Sequence, residues 1–269
     1  MDMAPDALSD RGVYRENEAV DVPGQPIAQN GAADVASTPT YETEVAALKR
    51  AAAFAAVDEV EDGMLVGLGT GTTANFAIAA LGQRVAWGLR VTTIATSLAT
   101  GRAAIAAGLP VLPFDTLAKL DLAIDGADEL DPQLRAIKGK GGAMLREKIV
   151  AAAAARMILI VDAGKQVPRL GRGVLPVEVL PFAAAFVSDR IEHLGATVSR
   201  RMTGDSSYRT DQDNVVFDCR FHSIDDPQEL ASALSVIPGM LGHGLFLDEI
   251  DVAYVGRRDG VIQLFRGAS

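Results

Sequence analysis

Hydrophobic and polar positions divide the chain into an unpatterned start and a long periodic body. From about residue 40, Val45, Leu48, Ala52, Phe54 and Val57 recur at helical spacing, with Thr40 or Thr43 as the expected cap and Gly63 as the expected stop. An apolar strand at 64–67 follows, then the glycine-rich GLGTGTTA and a helix reaching about Leu81. The alternation continues with a strand at 89–95, a helix at 98–107 ended by Gly108, strands at 111–114 and 120–124, a helix at 143–155 and a strand at 157–161. Strands that are apolar on both faces and separated by helices predict a Rossmann-like, doubly wound parallel α/β sheet.

From about Gly171 the pattern becomes denser: a strand at 175–179, a helix at 182–194, strands at 197–202 and 214–219, and a helix at 227–234. This predicts a second, smaller α+β domain over 171–249, with 41–170 and 250–269 forming the larger one. The turn Arg257-Arg258-Asp259-Gly260 between apolar runs at 252–255 and 261–265 signals a hairpin.

Composition narrows the classes. The chain of 269 residues carries a net charge of −10, which argues against nucleic-acid binding, since phosphate neutralisation needs a basic face. About half of that charge falls on residues 1–40, where seven Asp and Glu stand against Arg11 and Arg15. Rich in proline and poor in large apolar residues, this stretch is expected to be a disordered acidic arm. The longest apolar run, near 151–161, is cut by Arg156 and is too short for a membrane span. The lone Cys219 allows no internal disulfide, and the opening MDMAPDALSD lacks secretory features, so a cytoplasmic address is expected.

Four loops carry candidate chemistry. Gly69-Thr70-Gly71-Thr72-Thr73-Ala74 lies between a strand and a helix, where backbone N–H groups and the helix dipole favour an anion. The next strand ends Thr96-Ser97, without the carboxylate that would hold a ribose in a dinucleotide site, so the loop favours a small phosphate, with a dinucleotide or a purely structural turn as alternatives. Asp125-Gly126-Ala127-Asp128-Glu129 follows a buried strand and opens towards the same crevice. The alternative is an Asp-rich turn capping its own backbone. With Asp131, these carboxylates are also a conceivable Mg²⁺ set, though without EF-hand spacing or a nearby histidine. Lys138-Gly139-Lys140-Gly141-Gly142 leads into a helix bearing Glu147, which spacing alone reads as part of a solvated face. Asp162-Ala163-Gly164-Lys165 brings another lysine to that sheet edge. His193, His222 and His243 show no ligand spacing, and Cys219 and Trp87 read as packing residues.

A phosphate cradle, lysines, an Asp pair and a Glu suit proton abstraction beside a carbonyl, with a distant phosphate anchor aiding positioning. Sugar-phosphate aldose–ketose isomerisation fits this set. The segments GLGTGTTA, TSLAT, IDGADELD, IKGKGGAMLREKI, DAGKQV, LPVEVLP and IPGMLGHGLF occur in an order that resembles the type A ribose-5-phosphate isomerases, over about residues 44–265.

The resemblance implies interconversion of D-ribose 5-phosphate and D-ribulose 5-phosphate in the non-oxidative pentose phosphate pathway, with no cofactor and no metal. It implies Glu147 as the base, Lys138 as the cation beside the substrate oxygens, and Asp125 and Asp128 as hydroxyl-binding carboxylates that assist ring opening. It places substrate-binding positions at Thr70, Gly71, Thr72, Thr73, Gly126, Ala127, Gly139, Lys140, Gly141, Lys165 and Lys49. It also implies a homodimer or homotetramer assembled through the smaller domain. Three departures stand out: Lys140 interrupts the family's glycine run, Thr72 replaces a usual Ser, and Gly164 stands where Ser is common. Rival readings are an amino-sugar phosphate isomerase, a CoA transferase using a glutamate nucleophile, and a non-catalytic sugar-phosphate sensor.

Overall fold

The computed structural model describes residues 41–267. The expected arm at 1–40 and the Thr40 cap lie outside them. In chain order the first elements are helix α1 (Tyr41–Val57), strand β1 (Leu65–Leu68), α2 (Thr72–Ala86), β2 (Thr92–Ala95), α3 (Leu98–Ala106), β3 (Val111–Leu112) and β4 (Leu120–Gly126). Next come the short strands β5 (Glu129–Leu130) and β6 (Ala136–Ile137), then α4 (Met144–Ala153), β7 (Ala154–Asp162), β8 (Leu175–Val179), α5 (Ala184–His193) and β9 (Ala196–Arg200). The chain finishes with β10 (Met202–Thr203), β11 (Ser206–Ser207), β12 (Val215–Phe221), α6 (Pro227–Ser235), β13 (Met240–His243), β14 (Leu245–Phe246), β15 (Val252–Arg257) and β16 (Gly260–Phe265).

The main sheet has the order β16-β15-β7-β4-β1-β2-β3. All its neighbours run parallel except β16, which closes the edge as an antiparallel hairpin with β15. Because side chains alternate across a strand, each buried strand feeds two cores. On β7, Ile158 and Ile160 join one cluster with α1 and α2, while Met157, Leu159 and Val161 join another on the face that holds Val150 and Ala151 of α4. Helices therefore cover both faces, the doubly wound arrangement the alternation predicts.

A four-stranded antiparallel sheet, β13-β8-β12-β9, carries its own cluster around Val177, Val187, Phe217 and Leu234. A three-stranded sheet, β14-β6-β5, ties the 136–137 segment to the 245–246 segment. None of the strands β5, β6, β11, β13 and β14 was expected from periodicity, and the expected strand at 197–202 is divided between β9 and the start of β10.

Several boundaries differ from expectation for local reasons. Helix α1 stops at Val57, six residues before Gly63, which instead forms a turn at φ +86°. Thr43 lies inside that helix rather than at its cap. The buried face of α1 is built from Ala52, Ala53, Ala56 and Val57, with Val45, Leu48 and Phe54 only half-buried. Small residues let the helix approach the sheet closely. Trp87, expected as a packing residue, is 82% exposed at the end of α2. Cys219 is buried, and burial pushes its thiol up to about 12. His243 is also buried, and desolvation holds it down to about 4.

Helix α1 packs tightly on the sheet at Gly256 of β15, where an added Cβ would lie 2.0 Å from the Leu48 carbonyl oxygen. Gly256→Ala should destabilise the protein by about 1–3 kcal/mol through forced separation of α1 from β15. A urea-unfolding midpoint unchanged from wild type would refute that contact.

Candidate active site

Parallel strands put their carboxyl ends on one side of the sheet, and ligands in open α/β sheets bind there, where the strand order reverses. Here β1 lies between β2 and β4, so the loop after β1 faces the loop after β4. The loop after β7 reaches the same edge. Together with the loop preceding α4 they enclose a cavity of about 310 Å³. It is lined by Thr70, Gly71, Thr72 and Thr73, by Gly126, Ala127 and Asp128, by Lys138, Gly139, Lys140, Gly141 and Glu147, and by Lys49 and Lys165. Of the site residues expected from sequence, only Asp125 does not line it.

Asp125 sits underneath. Its Oδ1 accepts hydrogen bonds from the backbone N–H of Thr70 at 3.2 Å and of Gly126 at 2.7 Å, and its Oδ2 lies 2.8 Å from Lys138 Nζ. The turn that brings Thr70 over this carboxylate needs a glycine before it. A Cβ on Gly69 would fall 1.9 Å from Asp125 Oδ1. The capping alternative considered for this turn is thus partly realised, since Asp125 holds its own loop while also holding a lysine.

Lys138 follows β6 and is buried with its ammonium between two carboxylates. Its Nζ donates to the Gly126 carbonyl, lies 3.2 Å from Glu147 Oε2, and stands 5.3 Å from the centre of the Phe246 ring. Burial works against the charge, but Asp125 and Glu147 together hold the ammonium above the usual lysine range.

Glu147 is in the first turn of α4, not on a solvated face; its side chain is 4% exposed. Desolvation, reinforced by the nearby Asp125 carboxylate and opposed by Lys138, pushes it up to about 8. Its Oε2 receives no well-aligned hydrogen bond among the described residues. A buried carboxylate with a raised pKa, paired only with a lysine, is equipped to take up a proton.

At the other end of the cavity, α2 starts at Thr72 behind Gly71, which has no side chain to cap the first-turn N–H groups. Those donors and the helix dipole favour an anion. Lys49 Nζ reaches Thr72 Oγ1 at 3.4 Å. The Thr70 hydroxyl faces a different set, lying within 2.8 to 3.1 Å of Thr96 Oγ1, Ser97 Oγ and Thr100 Oγ1. It is engaged with this hydroxyl cluster, in which Ser97 also caps α3.

The conceivable Mg²⁺ set is dispersed. Glu129 accepts the backbone N–H groups of Gly171, Arg172 and Gly173, and Asp131 those of Gln133 and Arg135. Among the described residues no group of three or more His, Cys, Asp or Glu side chains is placed to hold a metal.

Periodicity gave no hint of the groups that hold the glycine loop. Arg201 donates from one guanidinium nitrogen to the carbonyls of Gly139 at 2.9 Å and Lys140 at 3.1 Å, while its other edge is paired with Asp218. The Tyr208 hydroxyl donates to the Gly141 carbonyl at 3.2 Å. The only advance signal was an arginine and an aspartate on strands of the 171–249 segment, indistinguishable there from surface charge. Lys140 itself causes no backbone strain, because positive φ falls on Gly139 and Gly142 and not on it.

Two outcomes follow. Arg201→Ala should loosen the loop and lower turnover by about tenfold, the scale of a charge-assisted hydrogen bond, while Arg201→Lys restores part of it; equal rates in all three proteins would refute the clamp. Because the folded-state pKa of Glu147 lies above its unfolded value, its contribution favours the fold at low pH and is lost as pH rises towards about 8. Glu147→Gln should therefore gain stability relative to wild type as pH goes from 5 to 9, and a difference in urea midpoint that is flat with pH would contradict this.

A family model described as ribose 5-phosphate isomerase A (phosphoriboisomerase A) matches residues 92–260, more than half of the chain. A ribose-5-phosphate isomerase A from Sphingopyxis alaskensis is 51% identical over 219 residues, covering 81% of this chain and 96% of the relative. Another from Roseiflexus is 46% identical over 220 residues, covering 80% and 94%. Among solved structures, ribose 5-phosphate isomerase A from Neisseria gonorrhoeae superposes with a TM-score of 0.78 at 35% identity, covering 82% of this chain and 97% of that one. A D-ribose-5-phosphate isomerase in complex with phospho-erythronic acid gives 0.80 at 36% identity, covering 82% and 99%. With matches of this length and identity, the chain belongs to the ribose 5-phosphate isomerase A family.

Proposed function

We propose that the protein interconverts D-ribose 5-phosphate and D-ribulose 5-phosphate through an enediolate, with Glu147 as the base. The observation that carries this reading is the two-ended cavity. A buried Glu147–Lys138 pair forms one end, and an uncapped helix N-terminus with Lys49 beside it forms the other. Phospho-erythronic acid, the ligand named for a solved relative, likewise has a carboxylate at one end and a phosphate at the other.

The substrate phosphate binds at the α2 N-terminus with Lys49, Thr72, Thr73 and Lys165, and this anchor positions C1 and C2 at the buried pair. In the open-chain aldose, Glu147 takes the proton from C2. The electron pair of that bond becomes the C1–C2 double bond, and the carbonyl pair moves onto O1. Lys138 stabilises the charge developing on the enediolate oxygens. Glu147 then returns its proton to C1, the C2 carbonyl forms, and the hydroxyl proton of O2 ends on O1.

Asp128, which lines the cavity and spends one oxygen on the Lys140 N–H at 3.0 Å, binds substrate hydroxyls and assists ring opening. We revise the role of Asp125. Both its oxygens are committed within the protein, so it holds Lys138 charged and in place rather than binding hydroxyls.

The reading includes a homo-oligomer in the cytoplasm, acting in the non-oxidative pentose phosphate pathway. Exposed Leu180, Phe182, Phe186 and Val236 on the 171–249 segment support assembly through the smaller domain.

Glu147→Gln should remove nearly all turnover of ribose 5-phosphate while leaving phospho-erythronic acid binding largely intact; retention of a tenth or more of wild-type kcat would refute the assignment. For the wild type, kcat/KM should rise with pH through an ionisation near 8 rather than near 4, because the free base must be deprotonated to act. A profile already flat above pH 6 would contradict it.

A further inference from the structure

Beside the catalytic cavity lies a second one of about 510 Å³, which shares Asp128, Lys140 and Lys165 with it and extends to Arg172, Arg201 and Arg220. Its charges are unevenly spent. Every carboxylate at its wall has an internal partner. Asp128 accepts the Lys140 N–H, Glu129 is clasped by three consecutive backbone N–H groups, and Asp218 is paired with Arg201. Arg201 is spent in turn, on Asp218 and on the glycine-loop carbonyls.

The remaining cations are in the opposite condition. Among the described residues, the side chains of Lys140, Lys165, Arg172 and Arg220 make no ion pair with a carboxylate, in a chain whose net charge is −10. The backbones that carry two of these cations are also fixed. Lys140 is tethered at its N–H by Asp128 and at its carbonyl by Arg201, and Arg172 sits at the middle of the segment wrapped on Glu129. A concavity lined by five cations, Lys140, Lys165, Arg172, Arg201 and Arg220, against three carboxylates, Asp128, Glu129 and Asp218, carries a net positive charge and attracts a compact multivalent anion.

We propose that this second cavity is an anion subsite that takes a phosphate group, separate from the ester phosphate of a substrate in the catalytic cavity. Arg172 and Arg220 are its own recognition residues. Lys140 and Lys165, on the shared wall, couple occupancy of the two cavities. The anion is free phosphate, or a phosphate carried by a ligand larger than a pentose monophosphate. The inference rests on the isomerase reading only for the reagent used to block the catalytic cavity.

The test is equilibrium dialysis of the full chain against radiolabelled inorganic phosphate, with and without saturating phospho-erythronic acid. Wild type should keep binding phosphate when the blocker is present. Arg172→Gln/Arg220→Gln should bind that blocker-resistant phosphate about tenfold more weakly, and Arg172→Lys/Arg220→Lys should retain it. Turnover of ribose 5-phosphate by the Gln double variant in phosphate-free buffer should stay within about twofold of wild type, as for exposed substitutions away from the chemistry. A ligand spanning both cavities is distinguished by fructose 1,6-bisphosphate: if that is the source, the bisphosphate competes with the blocker and loses affinity in the double variant, whereas phosphate bound in the second cavity alone is not displaced by the blocker. Loss of all phosphate binding in the presence of blocker, or equal binding by wild type and the Gln variant, overturns the subsite. Should the blocker displace nothing, the isomerase reading fails, and the subsite still stands or falls on whether the Gln variant binds one phosphate fewer.

Discussion

Three charges removed from water, Asp125, Lys138 and Glu147, are what the architecture has to maintain. Two carboxylates and one ammonium leave the trio one negative charge in excess when all are ionised. In a dry environment that excess raises the proton affinity of both carboxylates. Asp125 has two backbone donors and Lys138, while Glu147 has only Lys138 nearby. Those donors oppose the rise more at Asp125, and Glu147 is the one of the two carboxylates that lines the cavity. Removing Lys138 would leave buried like charges without compensation, which is far costlier than losing an exposed ion pair.

Each member comes from a different element, so the cluster depends on tertiary pairing. Asp125 ends β4 in the main sheet, Glu147 opens α4, and Lys138 follows β6, whose register is set by Ile137 opposite Leu245 of β14. The Lys138 N–H donates to the Gly244 carbonyl, continuing that ladder. Phe246 of the same short strand lies under both Lys138 and Lys148. The 171–249 segment reaches the chemistry a second way, through Arg201 and Tyr208 on the glycine-loop carbonyls. Both routes hold a backbone that would otherwise be free, since glycine loops lose more conformational entropy on ordering than any other sequence.

How much of this was readable in the sequence follows from the range of the forces involved. The main-sheet strands and the α3 boundary came through, because two-sided apolar runs and local caps are properties of neighbouring residues. The two-residue strands β5, β6 and β14 did not, because they carry no period and exist through pairings with distant segments. The site shows the same division. Its loops could be named from glycine spacing, yet Glu147 on spacing alone read as surface, and only the packing of α4 against the crevice makes it buried. The Thr70 hydroxyl, counted towards an anion, is turned to Thr96, Ser97 and Thr100, an orientation that composition cannot specify.

Net charge illustrates the same limit in reverse. A value of −10 discourages a nucleic-acid reading, but it describes the molecule from far away, where charges sum. Within a Debye length of the cavities, about 8 Å at physiological salt, only the local inventory matters. There Asp218 is ion-paired with Arg201 and Glu129 is held by backbone donors, while Lys140, Lys165 and Arg172 make no ion pair. The charge lining the second cavity, five cations against three carboxylates, is therefore opposite in sign to that of the chain as a whole. An anionic sugar phosphate repelled at long range is drawn in at short range, and salt weakens both effects.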